Sequence, residues 1–213
     1  MFRWFLITRI ALTSIIISFG ESARCRYHRE IADWAEARGW TFREGSREPT
    51  WTTPLPQGSN KDVNLQVDGA LAGHTFTIMY VHEVRPIPIL MMGAVPSVTD
   101  TTVVVVYLPR VYPAVAIKPR SLFRRHSTSG TIGYPAFDKK FQISTLAPGD
   151  PSDPAVVIST PLAEAHLNRK VPPWTLRDRE LMCHSRGRPE AKDLDAMLAR
   201  ALWVAKQLTT PIT

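Results

Sequence analysis

Hydrophobic positions fall into three patterns along this chain. The first is a nearly continuous apolar stretch from Trp4 to Gly20, WFLITRIALTSIIISFG, interrupted by one charge, Arg9. As a helix it reaches about 25 Å, slightly short of the roughly 30 Å hydrocarbon core of a bilayer. An Arg at mid-helix costs roughly 2.5–3.5 kcal/mol, and each Leu, Ile or Phe returns about 0.3–0.6. Arg9 lies near enough to the N-terminal side for its stem to carry the charge toward the interface. Residues 1–20 are therefore expected to form a membrane anchor, with residues 21–213 as a single domain. Arg24, Arg26 and Arg29 follow directly, and basic flanks stay inside. The expectation is a single-pass protein of the cell membrane with its main domain in the cytoplasm. A cleaved signal peptide with Arg3 as its basic region, and a mis-assigned start, stay open beside it; a lipoprotein signal fits poorly, because Ala23-Arg24 precedes Cys25.

The second pattern is helical and brackets the domain. Ala23, Tyr27, Ile31 and Ala35 recur every fourth residue with Trp34 alongside, predicting a helix over 22–38 that Gly39 ends. Leu194, Met197, Leu198, Ala201, Ala205 and Leu208 share one face of a second helix over 190–208. Glu190, Asp193 and Asp195 near its start and Lys206 near its end match the macrodipole.

Between these helices the period changes to two. Trp40-Thr41-Phe42 opens a strand, and residues 45–60, with Pro54, Pro56 and Gly58, read as a loop. Val63, Leu65 and Val67 alternate before a turn expected at Asp68-Gly69, and His74 to Val84 alternates again. The run TTVVVVYL, Thr101 to Leu108, predicts a central strand buried on both faces. Ala114–Ile117 and Lys140–Thr145 read as short strands, Ala155–Ile158 and Leu162–Leu167 as short helical stretches. Trp174–Leu176 and Glu180–Cys183 are expected to pair as a hairpin across Arg177-Asp178-Arg179. The fold class is α+β: a mainly antiparallel sheet with helices at the N- and C-terminal ends.

Several of these pieces together resemble a family of uncharacterised actinobacterial proteins. They are Arg38-Gly39-Trp40 with Phe42, Gly73-His74-Thr75-Phe76-Thr77, Val103 to Pro109, Phe137-Asp138-Lys139-Lys140-Phe141, the segment near Leu162–Leu167, and the hairpin entering the last helix. The resemblance spans roughly residues 27–208. It implies one α+β domain and brings no activity and no catalytic residue with it. The chain departs from that family at Pro86-Ile87-Pro88-Ile89-Leu90-Met91-Met92, where such proteins are polar between two strands.

Composition narrows the function classes. With 44% hydrophobic and 21% charged residues, the chain has the material for a core without metal or disulfide staples. Its two cysteines, Cys25 and Cys183, form no CxxC pair and read as free thiols. A net charge of +7 permits an anionic partner. The excess is most visible between Asp100 and Asp138, where Arg110, Lys118, Arg120, Arg124 and Arg125 meet no acid.

Two segments stand out as contact candidates. Lys118, Arg120, Arg124 and Arg125 suit an anionic surface, each basic residue near anionic lipid contributing about 1 kcal/mol. They suit nucleic-acid phosphates equally, but no helix-turn-helix, zinc-finger or RNP pattern supports that partner. Ile87, Ile89, Leu90, Met91 and Met92 form an apolar loop, with Pro86, Pro88 and Pro96 expected to break it out of regular structure. Exposed, it would mark a protein or membrane contact; folded back, it would be core.

Catalytic signals are sparse. The histidines are His28, His74, His82, His126, His166 and His184, with no HExxH spacing. Eight strand residues hold His74 and His82 about 26 Å apart. There is no G-x-S-x-G, and Ser127 to Gly133 lacks the P-loop lysine. No cofactor and no metal are expected. The leading expectation is a membrane-associated, non-enzymatic interaction domain; a protein partner is compatible and a small-molecule ligand undetermined. Against it stand an enzyme pairing His74 or His82 with Asp138, and a nucleic-acid binder using residues 118–126.

Overall fold

The computed structural model describes residues 25–46, 62–89, 93–120, 131–145 and 158–209. Helix α1, residues 25–36, leads into β1 (Thr41–Ser46), β2 (Asp62–Leu71), β3 (His74–Ile89) and β4 (Gly93–Pro119). Helix α2 (Pro135–Lys140), β5 (Phe141–Thr145), α3 (Thr160–Leu167), β6 (Trp174–Arg186) and α4 (Ala191–Thr209) complete the order. The fold is α+β, as expected, with every strand pair antiparallel.

The sheet runs β1-β2-β3-β4-β5, with β6 also on β4. β3 pairs with β4 as far as Val106, and β5 takes over at Val115. β6 spans Thr101 to Ile117 of β4. A strand has two edges, so β3 and β5 share one edge of β4 and β6 holds the other.

Strand alternation sorts the core into two layers. Leu65, Val67, Phe76, Ile78, Val104, Val106, Leu176 and Cys183 face Ile31 and Ala35 of α1, Leu162 of α3 and the apolar stripe of α4. Val63, Met79, Val81, Val103, Val105 and Met182 form a smaller cluster on the opposite face. The Thr101–Leu108 run is thus buried on both sides. Helix α4 buries Leu194, Leu198, Ala201, Val204, Ala205 and Leu208, close to the expected stripe. Gly39, at φ 71, closes α1 where the sequence signalled it.

Several expectations are corrected. The β2–β3 turn is not at Asp68-Gly69: pairing continues to Leu71↔His74, and Ala72 and Gly73, at φ 52 and 79, make the turn. Asp68 is instead held within the sheet by Thr77 Oγ1, which donates at 2.7 Å. Gly69 serves close approach, because a Cβ there would meet the Trp40 and Phe76 rings at 2.6–2.7 Å. Residues 174–183 are not a hairpin: β6 is one strand along β4, and Asp178, at φ 54, marks an irregularity within it. Ala114–Ile117 belongs to β4 itself, beyond register shifts between Tyr107 and Val115. The strand expected at Lys140 begins one residue later, because α2 runs through Lys140.

The proline-rich stretch is corrected as well. Rather than leaving regular structure, it continues the ladder through Pro86↔Pro96, Ile87↔Val95, Pro88↔Ala94 and Ile89↔Gly93. Pairing of β2 with β3 stops at His82, and that of β6 with β4 at Thr101. Among the described residues the arm beyond those rungs is two-stranded, and prolines are tolerated on strand edges where no ladder partner needs their N–H. Of the Ala155–Ile158 stretch only Ile158 is described, and it is not helical. The expected anchor, residues 1–20, lies outside the described residues; among those described, no helix is long and apolar enough to cross a membrane.

Candidate functional site

Tyr80, His82 and Asp100 meet where the arm leaves the sheet. His82 and Asp100 are direct cross-strand partners, and Tyr80 lies two residues back on the same face. The Tyr80 hydroxyl donates to Asp100 Oδ1 at 2.8 Å, and His82 Nδ1 lies 2.8 Å from the same oxygen. A carboxylate there is an acceptor, so the proton belongs on Nδ1. Burial works to raise the Asp100 pKa, but bonds from His82 and Tyr80 and the charges of His82 and Arg188 outweigh it. The carboxyl is held below its ordinary range.

The turn between β6 and α4 closes onto this cluster. Gly187 N donates to Asp100 O at 2.9 Å, and Thr102 Oγ1 donates to Gly187 O at 2.9 Å. Gly187 has φ 99, a conformation that favours glycine. The turn sets the Arg188 guanidinium 3.3 Å from the Tyr27 ring centroid, a cation–π contact. Tyr27 meets Tyr80 edge-on, with centroids 6.2 Å apart. Its hydroxyl is buried beside the Arg188 guanidinium. Burial pushes the phenol above its ordinary pKa, and Arg188 opposes that shift. Beside these rings opens a cleft of about 320 Å³ lined by Arg26, Tyr27, Glu30, Arg188 and Glu190. Charges of both signs around an aromatic wall suit recognition of a polar group. Among the described residues no three His, Cys, Asp or Glu converge to hold a metal.

The enzyme pairing expected from sequence is not assembled. His74 Nδ1 lies 3.3 Å from Tyr107 O, His82 binds Asp100, and Asp138 Oδ1 accepts from Ile132 N at 3.1 Å. Other histidines have structural partners. His166 accepts from Trp174 Nε1 at 2.9 Å, and burial pushes its pKa down to about 4. His28 Nδ1 lies 3.1 Å from Glu44.

The described residues of the two contact segments lie far apart along the sheet. Ile87 and Ile89 lie on the arm, near the first rungs of β4. Lys118 and Arg120 are exposed at its last rungs, where Lys118 faces Gln142 and Arg120 Nε donates to Phe141 O at 3.1 Å. Leu90, Met91, Met92, Arg124 and Arg125 lie outside the described residues. Asp100 and Arg188 were missed as site residues. The even spacing of Tyr80 and His82 was a signal, but their partner across the sheet depends on a register that a loop at 86–92 would have hidden.

The sequence matches no protein-family model and no curated protein sequence. The structure is similar to the crystal structure of the mycobacterial trehalose monomycolate transport factor A, TtfA, with a TM-score of 0.58. The match covers 88% of this chain and 98% of that one at 10% sequence identity. At that identity the likeness establishes a shared fold.

Proposed function

We propose that the protein is a non-enzymatic, membrane-associated interaction domain acting as an accessory factor in transport, its main domain on the cytoplasmic face. The observation that carries this reading is a fold shared along nearly the whole chain with a protein named as a trehalose monomycolate transport factor. The apolar segment Trp4–Gly20 and the basic residues that follow it support membrane association. The proline-rich arm supports a contact role, since among the described residues it is a two-stranded ladder, which by itself is marginally stable. Fractionation with carbonate extraction tests the first part: the full chain stays with the membrane, and a chain lacking residues 1–20 is released. Release of the full chain would overturn membrane association. For the transport part, a strain lacking the protein is expected to accumulate an acylated trehalose on the side of synthesis, measured by lipid extraction. An unchanged distribution would remove that role.

A further inference from the structure

We infer that the domain docks end-on against an anionic bilayer through the pole that carries the start of α1, the β6–α4 turn and the β3–β4 arm. This inference rests on the membrane reading above and adds the orientation and the contact surface.

Three elements of separate origin meet at that pole. The first is α1, whose direction is set by its ring contacts. Tyr27 lies against Tyr80, whereas Trp34 meets Trp40, which meets Phe76. Moving back along α1 toward Cys25 is therefore moving along β3 from Phe76 past Tyr80 toward the arm. The second is the β6–α4 turn, fixed on Asp100 and Thr102. The third is the arm, which starts beyond His82↔Asp100 and runs on to Ile89↔Gly93.

Lengths make the convergence useful. The apolar segment ends at Gly20, five residues before Cys25, so Cys25 stays within about 18 Å of it even with the chain extended. The arm advances five rungs from Val84↔Val98 to Ile89↔Gly93, or about 17 Å at 3.4 Å each. A surface reached by the tether is thus a surface the arm reaches. Charge complements it: Arg26, Arg29, Arg186 and Arg188 are all exposed at this pole, and guanidinium groups pair well with phosphate. Of the acids there, Glu190 lies 2.7 Å from Lys192 and Glu44 lies 3.1 Å from His28. Asp100 is held by Tyr80 and His82, and Glu83 is buried; Glu30 is exposed. Lys118 and Arg120 lie at the other end of β4, out of reach in this orientation.

The test uses the full chain in vesicles of phosphatidylcholine and phosphatidylglycerol carrying a nitroxide lipid. A fluorophore is attached at single cysteines in a Cys25→Ser background; Cys183 is buried, and burial pushes its thiol up to about 12. Ile89→Cys is expected to lose most of its fluorescence, Val98→Cys part of it, and Val111→Cys none. Adding Arg26→Glu and Arg188→Glu is expected to restore fluorescence at Ile89 while the chain still pellets with the vesicles. Quenching at Val111 or at Lys118→Cys equal to that at Ile89 means side-on docking and overturns the inference. So does an unquenched Ile89 in a chain that pellets, which leaves the membrane reading intact. A chain that does not pellet overturns both.

Discussion

Two stretches of one ladder show how differently similar sequences can be flanked. At Thr101–Val106, β4 is flanked by β3 on one edge and β6 on the other, and Val103, Val104, Val105 and Val106 are all buried. A few rungs away the same two strands carry Ile87, Ile89 and Val95, with no third strand beside them among the described residues. The valines are core because neighbours cover both edges and both faces. Along the arm, β2 and β6 no longer pair with these strands. Apolar content alone does not distinguish a core from a contact element.

The comparison breaks most readily at the centre. Phe76→Ala, in a side chain 1% exposed, should cost about 3–5 kcal/mol in denaturant unfolding. Replacing residues 86–96 by a two-residue Asn-Gly turn should leave the midpoint nearly unchanged. An equal loss in both variants would make the arm part of the core.

Next comes the buried imidazole. His166 has a pKa pushed down to about 4, against 6.5 when unperturbed. The folded state holds it neutral where the unfolded chain takes up a proton. Its contribution is whole above about pH 6.5 and declines as pH falls toward 4, for a loss of about 3 kcal/mol. His166→Gln should flatten that window in unfolding curves taken across it.

A smaller effect is expected at the start of the arm. Asp100→Asn keeps the size but loses the charge that holds His82, and with the group one-third exposed the cost should be about 1 kcal/mol. Because its folded pKa is lowered, the wild-type contribution is present above the ordinary carboxylate pKa and is lost as pH falls through the lowered one. Faster amide exchange at Gly187 would show the turn loosening. Smallest of all, Asp195→Ala removes the two-bond contact with Arg38 at 2.7 and 3.2 Å and should cost under about 1 kcal/mol by thermal melting, being partly exposed.

Much of the fold was legible. The stripe on α4, the glycine after α1 and the both-faces-buried run of β4 each follow from spacing that short-range geometry imposes. What misled was local turn chemistry. Asp68-Gly69 has a turn's residues, yet Gly69 is needed because Trp40 packs where a Cβ would be. Arg177-Asp178-Arg179 looks like a hairpin tip, yet β4 offers a continuous edge that keeps both halves of β6 in one strand. The candidate site was harder still, because Tyr27, Asp100 and Arg188 come from three distant parts of the chain.

The sequence by itself determined the class: periods of two in the middle, helical stripes at both ends, and a leading apolar segment with basic residues after it. These are local properties, set by the residues within a turn or two of each other. Only the tertiary structure decided that the proline-rich stretch continues a ladder, that Asp100 meets His82 and the Arg188 turn, and that Ile87 and Ile89 lie by one end of β4 and Lys118 at the other. Strand register and helix direction are choices among distant partners. They are settled by how the whole set of apolar faces is buried at once.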